Sequence, residues 1–151
     1  MKMIKNAKYV HTNLIARDWE KLSGFYQTVF GGVIVPPERN YSGPALEAGT
    51  GVPNTTLRGV HLKLPGSEAT LEIFTYSIGK EGPSPAVNRP GFGHIAFEVD
   101  SVLDAQAEVI AAGGKCIGDI VNLTTAAGNR VNWCYVTDPE GNIIELQAWN
   151  K

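Results

Sequence analysis

The sequence predicts an α+β fold made of two tandem βαβββ modules, and three observations predict it. First, one order of signals occurs twice. A strand carrying a histidine, an acidic helix cap, an amphipathic helix and a Gly-Gly stop run from His11 to Gly32, and again from His94 to Gly114, in register to within one residue. Second, the strand Thr70-Leu-Glu-Ile-Phe-Thr-Tyr76 lies over Ile143-Ile-Glu-Leu-Gln-Ala-Trp149 with the glutamate at the same place. Third, turn chemistry precedes each of these last strands, Pro65-Gly-Ser-Glu68 in one half and Asp138-Pro-Glu-Gly-Asn142 in the other.

The elements follow from local pattern. Lys8 to Ala16 alternates, with Tyr9, His11, Asn13 and Ile15 on one face, and reads as a strand. Asp18 is a helix N-cap, and apolar residues at Trp19, Leu22, Phe25, Tyr26, Val29 and Phe30 recur at helical spacing until Gly31-Gly32. Val33 to Val35 is a short strand ending at Pro36-Pro37. Residues 38–56, rich in Gly, Pro, Asn, Ser and Thr, read as a long loop with a short strand around Ala45 to Ala48. Leu57 to Leu64 and Ala69 to Tyr76 are two strands of a hairpin, and Ser77 to Pro90 is a linker. In the second half, Phe92 to Val99 is a strand and Val102 to Ala112 a helix entered at Asp100 or Ser101. Lys115 to Gly118 is a short strand, Thr124 to Asn129 a loop, and Arg130 to Thr137 and Asn142 to Trp149 are two further strands. The chain is expected to be one domain over 1–151, with module one at about 7–77 and module two at about 91–150.

Composition narrows the function. A 151-residue chain with 43% hydrophobic and 19% charged residues is long enough for one core and is ordinary for a globular protein. A net charge of −2 supplies no basic stripe, so nucleic acid is not an expected partner. No apolar signal-peptide region and no membrane-length apolar run occur, so the cytoplasm is the expected location and no membrane partner is expected. Cys116 and Cys134 lack metal or disulfide spacing and read as small buried thiols.

The duplication also selects residues. Each half places one His in its first strand and one Glu in its last, giving His11, Glu72, His94 and Glu145. A lone strand histidine is ordinarily a hydrogen-bonded core or edge residue, and a lone strand glutamate ordinarily faces water. Four of them at repeated positions form an N2O2 set suited to a divalent first-row metal, here Ni, Co, Zn, Mn or Fe. A carboxylate between apolar neighbours, such as Glu145 between Ile144 and Leu146, is costly unless it is paired or bound. His61, between Val60 and Leu62 and without an evident counterpart in the other half, reads as a structural or pocket residue.

Taken together, Tyr9-Val-His11, Phe25-Tyr-Gln-Thr-Val-Phe-Gly31, Leu71-Glu-Ile73, Gly93-His-Ile-Ala-Phe-Glu-Val99 and Asp138-Pro-Glu-Gly-Asn-Ile-Ile-Glu-Leu146 resemble the vicinal oxygen chelate family. That family includes glyoxalase I, methylmalonyl-CoA epimerase, extradiol dioxygenases, fosfomycin-resistance enzymes and bleomycin-resistance proteins. The resemblance covers nearly the whole chain. It implies paired modules curling into a half-open mixed β-barrel around a metal, and a homodimer. It also places the family's ligand set on His11, Glu72, His94 and Glu145.

At the positions where glyoxalase I holds glutathione, this chain has Ile15 and Tyr76. Fosfomycin enzymes are similar at His11, His94 and Glu145 but extend beyond the last ligand, whereas six residues follow Glu145 here. Methylmalonyl-CoA epimerase has Gln where this chain has Glu72, although Gly128-Asn-Arg130 is similar to a stretch of that enzyme, and Glu47 is a candidate for its additional acid. The expected function is a metal-dependent isomerase or lyase that transfers a proton on a small substrate with vicinal oxygens. Glu72 and Glu145 are the expected catalytic pair. Tyr9, Asn13, Thr70, Phe74, Tyr76, Phe92, Arg130, Gln147 and Trp149 are the expected substrate-binding residues. The alternatives are a non-catalytic ligand-binding or antibiotic-resistance module of the same fold, and a metal-dependent dioxygenase.

Overall fold

The computed structural model describes residues 1–150. They fall into two compact units, Met1–Lys80 and a second that begins at Glu81. In the first unit the order is β1 (His11–Ile15), α1 (Trp19–Phe30), β2 (Val33–Tyr41), α2 (Pro44–Thr50), β3 (Leu57–Lys63) and β4 (Thr70–Tyr76). In the second it is β5 (Ile95–Glu98), α3 (Val102–Ala111), β6 (Lys115–Thr124), β7 (Arg130–Thr137) and β8 (Ile143–Asn150). Each unit therefore has the βαβββ order that the duplicated signals predict, with α2 as an addition in the first.

The two sheets repeat one topology. Strand order is β1-β4-β3-β2 in the first and β5-β8-β7-β6 in the second. The first and last strands of each module pair in parallel, and the other neighbours are antiparallel, so both sheets are mixed and open. In the first unit Val60 and Leu62 of β3 and Leu71 and Ile73 of β4 are buried, and α1 packs on these strands with Leu22, Phe25 and Tyr26 buried. In the second, α3 packs on β6, β7 and β8, burying Val102 and Val109 with Cys134, Val136, Ile144 and Leu146. Each fully buried aliphatic side chain contributes roughly 1.5–3 kcal/mol. Because side chains alternate along a strand, the residues between these apolar ones point to the opposite face. That face carries His61, Glu72 and Glu145.

Capping explains the helix limits. Asp18 accepts a hydrogen bond from the backbone N–H of Lys21 at 3.1 Å, and Ser101 accepts one from Asp104 at 3.2 Å, so Ser101 is the cap of α3. The N–H of Lys21 also holds the Asp18 carboxyl below its usual range. Gly31 ends α1 at φ 70°, where a side chain is disfavoured.

Four expectations are corrected. The second strand continues through Pro36-Pro37 to Tyr41, because a register shift between Val35 and Arg39 lets it bend and pair again with β3. Its counterpart β6 does the same between Ile117 and Val121 and so runs past the expected end at Gly118 to Thr124, the first residue of the expected loop. Ala45 to Ala48 belongs to helix α2, where Pro44 occupies the first turn and Gly51 is the left-handed stop; short-range turn chemistry overrides the strand reading. Cys116 is exposed on β6, whereas Cys134 is buried and its thiol pKa is raised by that burial.

Candidate metal centre and groove

The turn between β3 and β4 sets the register of the first cluster. His61 lies four residues before Pro65 and Glu72 four residues after Glu68, so a symmetric hairpin puts them opposite each other. The structure pairs them directly, and on the other side of β4 it pairs Asn13 with Glu72 and His11 with Thr70. His11, His61 and Glu72 thereby converge, with one possible ligand atom from each lying within 4.8 Å of the others.

Contacts fix the Glu72 carboxylate at both oxygens. Oε1 accepts a hydrogen bond from Asn13 Nδ2 at 2.9 Å and lies 3.6 Å from His11 Nε2. Oε2 is 2.7 Å from His61 Nε2. The Glu72 side chain is only 12% exposed, so it depends on these partners. The other nitrogen of His61, Nδ1, lies 3.3 Å from Thr70 Oγ1, and its ring meets Phe74 edge-on at 5.8 Å and His11 at 5.7 Å. Burial lowers the His61 pKa, and this outweighs the upward pull of Glu72.

In the second unit, His94 stands immediately before β5, and its Nε2 is 2.9 Å from Glu145 Oε2. The register follows the first unit. Ile95 pairs with Ile144, so one step back His94 falls two residues behind Glu145, as His11 falls two behind Glu72. Tyr135 lies three residues before the turn at Asp138 to Asn142 and Glu145 three after it, and the two pair across β7 and β8. Asp138 holds that turn by accepting from the backbone N–H groups of Glu140 and Asn142 at 2.9 and 3.0 Å.

Tyr135 is therefore the positional counterpart of His61, which sequence reading leaves without one. Its ring packs on His94 at 5.1 Å and on Trp133 at 5.1 Å. Beside Glu145 is a groove of about 260 Å³ whose walls include Leu123, Trp133, Tyr135, Gln147 and Trp149. Trp149 Nε1 donates to Gln147 Oε1 at 2.6 Å, which turns the Gln147 amide NH2 toward other partners. The buried indole N–H of Trp133 has no hydrogen-bond partner among the described residues.

The remaining expected binding residues divide. Asn13, Thr70 and Phe74 surround the His11, His61 and Glu72 cluster, and Gln147 and Trp149 flank Glu145. Tyr9 is exposed and its hydroxyl bonds Thr12; Phe92 is exposed ahead of β5; Arg130 is exposed at the start of β7, opposite Asn150; and Tyr76 ends β4, opposite Leu57. Sequence reading missed His61 as a member of the cluster, together with Tyr135, Trp133 and Leu123. The usable signal for His61 and Tyr135 was the residue count from each turn.

Solved structures share this fold. A glyoxalase family protein from Bacillus cereus aligns at a TM-score of 0.84 and 15% identity, over 99% of this chain and 100% of that one. The fosfomycin resistance protein FosX from Listeria monocytogenes aligns at 0.61 and 18% identity, over 98% of this chain and 96% of that one, so length does not separate the two. An integron cassette protein from Vibrio cholerae aligns at 0.56 and 23% identity, over 99% of this chain and 100% of that one. No curated protein matches the sequence. The family profile described as Glyoxalase/Bleomycin resistance protein/Dioxygenase superfamily matches residues 8–146. With two mixed βαβββ sheets carrying paired histidine and glutamate, the chain belongs to that superfamily, the vicinal oxygen chelate family.

Proposed function

We propose that this protein is a metal-dependent isomerase or lyase that moves a proton on a small substrate with neighbouring oxygens. The observation that carries the reading is the convergence of His11, His61 and Glu72, with Glu72 bonded at both oxygens. Imidazole nitrogen and carboxylate oxygen are donors that Ni, Co, Zn, Mn and Fe accept, so the residues present fit a divalent ion. His11 and Glu72 are the proposed ligands in the first unit, and His94 and Glu145, at the repeated positions, are the equivalent donors in the second. A bound divalent ion supplies Lewis-acid polarisation of a carbonyl, which makes the adjacent carbon more acidic.

The chain's own groups then handle the proton. Glu145, held at 2.9 Å by His94 and set in the wall of a largely apolar groove, is the proposed base that takes it from carbon. The protonated Glu145 exchanges with solvent and gives a proton back to the substrate, while Glu72, at the repeated position, is the carboxylate of the first unit's metal-binding cluster. Leu123, Trp133 and Trp149 supply apolar surface that orients an apolar part of the substrate, and the Gln147 amide donates to one of its oxygens.

Solvent deuterium tests this reading. Incubated with α-hydroxy-ketones, hemithioacetals and acyl-CoA thioesters, the metal-loaded protein is expected to exchange the carbon-bound proton in one class, and Glu145→Gln to abolish that exchange. Saturable binding of a ligand with no exchange in any class would replace the enzyme with a non-catalytic binding module. A second reading has its own observation: two histidines and one carboxylate are also the donor set of non-haem iron oxygenases. Oxygen uptake with catechols by the iron-loaded protein, without proton exchange, would favour it.

A further inference from the structure

We propose that His61 is itself a metal ligand, so that His11, His61 and Glu72 of the first unit suffice to hold a divalent ion even when the His and Glu donors of the second are removed. This rests on the metal-binding reading above and extends it to a residue that the repeated His and Glu positions do not include.

Three observations support it. His61 and Glu72 are directly opposed in the β3–β4 register, and β1 brings His11 to the same end of β4. Three donors from three adjacent strands thus meet with no loop in between, and strands position ligands more tightly than loops do. Next, both rigid ligands are oriented from behind. Thr70 Oγ1 lies 3.3 Å from His61 Nδ1 and is placed to accept from Nδ1–H when Nε2, the atom nearest Glu72, is given to a cation. Asn13 anchors the other Glu72 oxygen at 2.9 Å. Outer hydrogen bonds of this kind characterise metal-binding histidines and carboxylates. Finally, the second unit lacks the third donor. At the position equivalent to His61 it has Tyr135, whose phenol packs on His94 and is not a donor that first-row divalent ions favour.

A purely structural His61 would be an imidazole hydrogen-bonded to Glu72 and nothing more. Cobalt(II) separates the two roles, through metal content after dialysis and the visible absorption of the bound ion. In the full chain, His94→Ala/Glu145→Gln is expected to retain about one cobalt per chain. His61→Ala is expected to weaken cobalt binding on the order of 100-fold and to change the spectrum. His61→Gln, which keeps a side-chain donor toward Glu72, is expected to match His61→Ala, and far-ultraviolet circular dichroism checks that each variant is folded. Wild-type affinity and spectrum in a folded His61→Gln protein would overturn the proposal and leave the metal reading intact. So would an empty His94→Ala/Glu145→Gln protein. No cobalt binding by the wild type would overturn both.

Discussion

The two units have the same strand order and the same parallel closing pair, yet they place different chemistry on equivalent positions. In the first, the residue opposite the glutamate is His61, and the result is a compact cluster of two imidazoles and a carboxylate. In the second it is Tyr135, and the result is one His–Glu pair beside an aromatic groove. The duplicated backbone dictates where polar side chains meet, on the face opposite the helix. The residue chosen at one hairpin position decides whether that meeting point is rich in metal donors or rich in surface for a ligand.

The largest expected effect tests that division. Glu145→Gln should reduce proton exchange by a factor of about 10²–10⁴, the usual worth of a positioned general base, with metal retained through the first unit. Glu72→Gln should instead lower both exchange and metal content. Equal metal loss in the two variants would erase the distinction between the units.

Glycines sharpen the comparison at the level of packing. Gly32 and Gly114 occupy equivalent places after α1 and α3. A Cβ on Gly114 would lie 2.2 Å from the Thr137 carbonyl oxygen and 2.5 Å from Val109, whereas on Gly32 its nearest neighbour is the Tyr26 carbonyl oxygen at 3.2 Å. Gly114→Ala should therefore cost about 2–3 kcal/mol in urea unfolding, and Gly32→Ala about 1 kcal/mol or less. The caps should behave alike in the two units, because Asp18 and Ser101 each accept the backbone N–H of the residue three further on. Replacing either with Ala should cost about 1 kcal/mol.

The smallest effect belongs to His61 in the metal-free protein. Its pKa lies below the ordinary 6.5 because burial disfavours the charged ring. The unfolded chain then binds more protons, so this contribution to stability is present above pH 6.5 and is lost as the pH falls below it. Urea midpoints of the wild type should fall more steeply below pH 6.5 than those of His61→Gln.

Much of this was legible in the sequence. Helical spacing and the Gly-Gly stops delimit α1, alternation delimits β7, and the in-register glutamates reveal the repeat, because each depends on short-range geometry. The bent strands β2 and β6 were not legible, since a register shift is set by pairing with β3 and β7 rather than by local propensity. Helix α2 was hidden because Gly and Pro at its ends outweigh the few helix formers between them. His61 was hidden for a different reason. Comparing the halves for identical residues discards a position where one has His and the other Tyr, although counting outward from the turns recovers both.

The chain has three histidines, His11, His61 and His94, so their imidazole C2–H resonances can be followed individually as zinc is added. The His11 and His61 signals should shift together and saturate at one zinc per chain, and should do so as well in the His94→Ala protein. Unmoved His11 and His61 signals at full zinc occupancy would contradict the assignment of the ion to the first unit.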